Sequence, residues 1–244
     1  MKAPHPALRL LFCPLPSPRQ AARLQAVMPP RLSPADNAHI RRFTAPGAAD
    51  ARLLARALLV LACRSFCPAL PATLRRTTSG APALGFPQDA AQAALSFAYS
   101  PQAVVCALAI APAACRLGVD LEALASPPPA RRAFHPREHV SGPRDALRRW
   151  TVKEALLKAR GTGLSLDPAG LHTGRSGQRR GLHPAALPPL YWRSLPLPGH
   201  WCSLALSHAL PLRLSCLTCA DVIRALGVPG TPGQSPAATS ACSC

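Results

Sequence analysis

Two short segments constrain this chain more than anything else in it. They are Gly118-Val119-Asp120-Leu121-Glu122 and Trp150-Thr151-Val152-Lys153-Glu154-Ala155-Leu156-Leu157-Lys158. The first alternates apolar and acidic residues, the pattern of a half-buried strand, and so puts Asp120 and Glu122 on one side. The second has helical spacing, so Glu154 and Lys158, four apart, share a face. The whole chain has three glutamates and three lysines, and two of each lie in these segments. Elsewhere basic charge is almost all arginine. A composition so biased toward Arg, Ala and Pro that keeps Glu and Lys here points to chemistry fixing those positions.

If the helix meets the strand, three carboxylates and an ammonium converge. Three hard oxygen donors suit Mg²⁺, which prefers an octahedral shell and shares it with substrate phosphates. A lysine beside them completes a phosphate site as a point charge. Taken singly, each piece is ordinary. A Glu-to-Lys pair at this spacing is usually a solvated helix pair worth about 0.2–0.5 kcal/mol. An Asp-x-Glu at a strand end is usually a surface edge. Only the two segments together point to a site.

At 244 residues the chain can bury one large core or two of about 110 residues each. Its apolar content of 48% and mean hydropathy of +0.11 argue for a folded protein. The 30 prolines predict several extended loops. No apolar run is long enough to span a membrane. The first fourteen residues carry Arg9 and Pro14, which break any export signal, so a cytoplasmic protein is expected. The ten cysteines are scattered, and Cys216-Leu217-Thr218-Cys219 is a lone CxxC, so buried structural thiols are expected rather than a zinc site. A net charge of +18 calls for an anionic partner without naming it.

Along the chain, the pattern predicts a strand over 8–13, a helix opened by Ser33 and Pro34, and a helix over 49–63 with Arg52 and Arg56 on one flank. A Thr/Gly/Pro loop over 77–87 leads to strands over 103–111 and 117–121. A helix over 144–159 ends at Gly161. Residues 175–189 read as a basic loop, 201–207 and 212–217 as strands, and everything from 227 onward as a disordered tail. Irregular alternation of strands and helices favours an α+β fold.

The two segments resemble the paired signatures of Sfp-type 4′-phosphopantetheinyl transferases: a Gly-Val-Asp-Leu-Glu strand and a Trp-x-x-Lys-Glu-x-x-x-Lys helix, here followed by Gly161-Thr162-Gly163-Leu164. Phe134-His135-Pro136-Arg137-Glu138 resembles a third element of that family, residues 31–43 its first helices, and 198–205 a late strand. The resemblance implies two similar-sized pseudo-repeat α+β halves, 1–113 and 114–226, with the cofactor cleft between them and a tail over 227–244. It implies Mg²⁺ held by Asp120, Glu122 and Glu154. Glu154 and Lys158 would be catalytic, and coenzyme A would be contacted by Lys158, Arg52, His39 and Tyr99. The reaction would move 4′-phosphopantetheine from coenzyme A to a serine of an acidic acyl or peptidyl carrier protein. Lys153 and Trp150 would act as supports, and neither a membrane nor a nucleic acid is expected as a partner.

The chain departs from the family at three places. Tyr99 stands where a histidine is expected, Ala81 where a phosphate-binding lysine is expected, and Asp36 where a cation is common. An inactive family member and a basic nucleic-acid-binding protein are the alternatives. Against the latter, aromatics make up only 5% of residues and no helix is a continuous basic stripe. His135-Pro136-Arg137-Glu138-His139 spells the letters of one zinc-protease motif. That motif needs a regular helix and a further glutamate ligand, and surface or capping roles suit these histidines better.

Overall fold

The computed structural model describes residues 7–66, 73–76, 82–85, 92–111, 114–175, 177–183 and 189–227. Ala81 and the tail beyond 227 lie outside them. Strand β1 (Ala7–Pro14) is followed by helices α1 (Pro18–Val27), α2 (Pro34–Arg41) and α3 (Ala48–Phe66). An antiparallel pair, β2 (Thr73–Arg76) and β3 (Pro82–Gly85), precedes β4 (Gln92–Tyr99) and β5 (Ala103–Ala111). Then come β6 (Leu117–Ala123), helix α4 (Pro143–Arg160), and strands β7 (Arg180–His183), β8 (Leu190–Leu197), β9 (His200–Leu206) and β10 (Leu212–Cys216). Helix α5 (Cys219–Gly227) closes the series. The fold is α+β, as expected. Among the described residues no helix is long and apolar enough to cross a membrane.

Two four-stranded sheets form the middle of the molecule, ordered β10-β1-β5-β4 and β6-β9-β8-β7. Strand alternation explains how they stack. Leu8, Leu10 and Phe12 of β1, with Val105 and Ala107 of β5, face Val119, Leu121, Leu204 and Leu206 of the second sheet. The alternate residues Leu11, Cys13, Val104, Cys106 and Leu108 face outward onto α1, α3 and α5. The second sheet turns its other face, with Trp192 and Ala205, to Val152, Ala155 and Leu156 of α4. The order of layers is therefore helices, sheet, sheet, helix. Each core Leu or Val taken fully out of water contributes about 1.5–3 kcal/mol. Helix α3 is buried nearly all round because it packs between the sheet and its neighbouring helices.

Strand β10 returns to pair with β1 in parallel, and α5 packs on α1 and α3. The sheets also meet at their edges: β4 contacts β6, and the Val119 N–H donates to Ser96 Oγ at 3.0 Å. A buried Ser100 Oγ to His200 Nε2 bond of 2.9 Å ties the same seam.

Two loop expectations need correction. Residues 82–85 and 180–183 are strands, because pairing partners rather than their own apolar pattern decide them. In β7, Gly181 sits under the Trp192 ring, where a Cβ would stand 2.7 Å from the indole. The helix expectation over 144–159 agrees with α4, which has Pro143 in its first turn and Gly161 at φ +74° as its cap.

Candidate active site

Gly118 decides how strand and helix meet. A Cβ there would stand 2.0 Å from the Ala155 carbonyl and 2.5 Å from the Ala159 N–H, so only glycine lets α4 lie directly on β6. Asp120 and Glu122 share the Gly118 face by alternation, and that face carries Lys158 and Glu154 from the helix. Lys158 Nζ donates to Asp120 Oδ1 at 2.7 Å and to the Val119 carbonyl at 3.1 Å. The Ser126 and Trp150 side chains stand near Glu122 and partly offset the rise in its pKa. Strand β9 lies alongside, with Ser203 opposite Asp120 and Trp201 opposite Glu122.

The electrostatics of this group are those of crowded acids. Burial raises the Asp120 pKa above the ordinary carboxylate value, against the pull of Lys158. Glu122 is raised by burial and then by the Asp120 charge. Glu154 is raised by burial, then by Asp120 and more weakly by Glu122, with Lys158 opposing. The Asp120 charge therefore bears on both glutamates, and that of Glu122 on Glu154.

The trio is not drawn into a finished ligand set. Among the described residues, no group of three His, Cys, Asp or Glu side chains is arranged to hold a metal ion as it stands. Lys158 pairs with Asp120 and also offsets the charge of Glu122 and Glu154. The donors nevertheless suit a hard divalent cation. Three carboxylates outnumber one ammonium, and Asp120 Oδ2 and Glu154 Oε1 are buried with no hydrogen-bond partner among the described residues. An orphaned buried acceptor costs about 1–3 kcal/mol, more when charged, so these oxygens favour a cation.

Lys153 belongs elsewhere. Fully buried, it pairs with Glu138 Oε2 at 2.9 Å and donates to the carbonyls of Pro168 and Leu171. Glu138 also accepts from the Thr173 N–H at 2.6 Å and its hydroxyl at 2.5 Å, and meets Arg149 at 3.4 Å. The 135–139 stretch forms a turn rather than the helix a zinc protease needs.

A second cluster forms on the helical side of the first sheet. The Arg52 guanidinium lies 3.5 Å over the Phe43 ring and 4.9 Å over Tyr99, and donates to the Ala48 carbonyl. His39 packs edge-on against Phe43 at 5.1 Å. The structure thus brings Arg52, His39 and Tyr99 together, on the far side of the β4–β6 seam from the carboxylates. Asp36 adds no free negative charge there, because both its oxygens accept from Arg56 Nε, at 3.1 and 3.0 Å. Buried Arg56 lies close enough to Tyr99 to draw its pKa down against burial, and its Nη1 has no partner among the described residues. Sequence reading gave Arg56 no role. Its four-residue spacing from Arg52 was the available signal.

Residues 116–206 match the family model described as 4′-phosphopantetheinyl transferase superfamily. The match runs from β6 through β9. It contains both signature segments and Glu138 but not the Arg52 cluster, and it covers under half of the chain. No curated protein matches the chain.

Proposed function

We propose that this chain transfers 4′-phosphopantetheine from coenzyme A to a serine of an acyl or peptidyl carrier protein, with Mg²⁺, as an Sfp-type enzyme. One observation carries the reading. The crossing at Gly118 seats Lys158 on Asp120 and leaves Asp120 Oδ2 and Glu154 Oε1 buried and unpartnered, inside the stretch that matches the superfamily.

Asp120, Glu122 and Glu154 would hold Mg²⁺, which when bound supplies positive charge to a pyrophosphate. Glu154 takes the proton of the attacking serine, a role suited to a carboxylate whose proton affinity is raised by burial and by Asp120. The serine oxygen bonds to the phosphorus that carries pantetheine. The bridging phosphorus–oxygen bond breaks, and adenosine 3′,5′-bisphosphate leaves. Lys158, about a third exposed, would contact the phosphates and assist that departure. Arg52, His39 and Tyr99, with Arg56 added, would receive the nucleotide end across the β4–β6 seam. That seam is then the cleft between halves 1–113 and 114–226. The expected carrier is acidic, and the setting cytoplasmic.

The test is intact-mass measurement of several apo carrier proteins after incubation with this protein, coenzyme A and Mg²⁺. A gain of one phosphopantetheine arm on any of them supports the reading. No gain on any, with salt-sensitive binding to random duplex DNA instead, turns it toward nucleic acid.

A further inference from the structure

Two arginines of α4 that take no part in the carboxylate site fix the surface beside it. Buried Arg148 donates to the Gln178 carbonyl at 2.5 Å, and buried Arg149 donates to the Gly174 carbonyl at 3.0 Å. Asp145 holds both guanidiniums, at 2.7 and 2.8 Å. Gln178 Oε1 in turn accepts the Arg175 N–H at 3.0 Å, and the Ser194 N–H donates to the Arg179 carbonyl at 2.7 Å. The basic stretch before β7 is therefore mounted on the helix and the sheet.

What it presents is cationic. Arg175 and Arg179 are exposed, and neither guanidinium forms an ion pair among the described residues. The Arg179 guanidinium lies over the Trp201 ring, 5.7 Å from its centroid. Trp201 stands opposite Glu122 on the α4 face, and its indole Nε1 is buried with no partner among the described residues. Opposed residues of an antiparallel pair have Cβ atoms about 4.5–5.5 Å apart, so this cation and this donor border the carboxylate site. Arg180, one residue on, alternates to the other face.

We infer that Arg179, Trp201 and Arg175 form the docking rim for the acceptor, binding carboxylates that flank its modified serine. The inference rests on the function proposed above. An acidic protein approaching Asp120, Glu122 and Glu154 meets like charge, and a cation next to Glu122 offsets that repulsion. A guanidinium held by an aromatic face engages a carboxylate with two hydrogen bonds.

The test is steady-state transfer at saturating coenzyme A with the apo carrier varied, for the wild type, Arg179→Glu, and Arg175→Glu/Arg179→Glu. Both side chains are exposed, so melting temperature should hold and any kinetic change reports docking. The carrier KM should rise about tenfold in the single variant and further in the double, with kcat and the coenzyme A KM within about twofold. An unchanged carrier KM, or a rise in the coenzyme A KM instead, overturns the rim while leaving the transferase reading intact. A wild type that modifies no carrier overturns both.

Discussion

Glu154 belongs to helix α4 and Glu138 packs against it, yet their surroundings differ in kind. Glu138 is nearly inaccessible and receives Lys153, Arg149, and both the N–H and the hydroxyl of Thr173. Burial alone would push its pKa up, but the Thr173 and Lys153 bonds outweigh it and hold the carboxyl below the ordinary range. Asp145, gripped by Arg149 and Arg148, is likewise held low. Around Glu154 the balance is reversed. Two carboxylates stand nearby, a single ammonium sits on Asp120, and two oxygens have no partner among the described residues. A satisfied buried network rigidifies a fold, whereas an unsatisfied one is tolerated where a ligand completes it. The comparison separates Lys153 of α4, satisfied by Glu138 from the preceding loop, from Lys158 and Glu154 of the same helix, which the proposed chemistry would use.

The largest effect expected is on activity at the unsatisfied cluster. Glu154→Gln removes a charge from the trio and the proposed proton acceptor together. Transfer should fall by at least about 10², within the 10²–10⁴ typical of general-base loss, while the melting temperature stays level or rises. Near-full transfer by this variant would break the distinction. Lys153→Met does the opposite. It strands Glu138 without its main cation, and breaking a buried pair costs about 3–5 kcal/mol, readable as a lower denaturation midpoint. A variant as stable as the wild type would mean that Glu138 does not depend on that pair.

Acid titration of stability separates the clusters by sign. Glu138 and Asp145 have lowered folded pKa values, so their contribution is present above the unfolded carboxylate value of about 4 and is lost as pH falls through the folded ones. Asp120, Glu122 and Glu154 have raised values, so they oppose folding at neutral pH, and that penalty lifts as pH falls through the raised ones. The unfolding midpoint should therefore rise slightly on mild acidification and then drop below pH of about 4. In Glu154→Gln the first rise should shrink. A monotonic fall from neutral pH, identical in both proteins, would contradict the raised values.

Much of this was legible in the letters. Alternation puts Asp120 and Glu122 on one face, and helical spacing puts Lys158 on the face of Glu154 and leaves Lys153 off it. The strands and helices with a strong apolar period, such as β5 and α3, follow the same rule. Helix α1 was missed because only Ala21 and Leu24 within it are buried, although Ser17 and Gln20 form a capping box. Helix α5 was missed because its Val222, Ile223 and Leu226 come just before the tail, where composition suggested no order. Strand β8 buries Ser194 beside Trp192, which hides its alternation. The Asp36–Arg56 pair was out of reach, since it joins residues of two helices whose docking depends on the whole core. The sequence likewise gave no hint that Arg148 and Arg149 turn inward to mount the basic stretch.

The most direct test of the account is a melting-temperature titration with Mg²⁺ on the wild type, Asp120→Asn/Glu154→Gln, and a Glu138→Gln control. A ligand that binds only the folded state stabilises it by about 2.7 kcal/mol at a hundredfold excess over Kd. The account predicts a Mg²⁺-dependent rise in the wild type that survives in Glu138→Gln, from a lower starting point, and vanishes in the double variant. A wild type indifferent to Mg²⁺, or a rise that persists without Asp120 and Glu154, would contradict it.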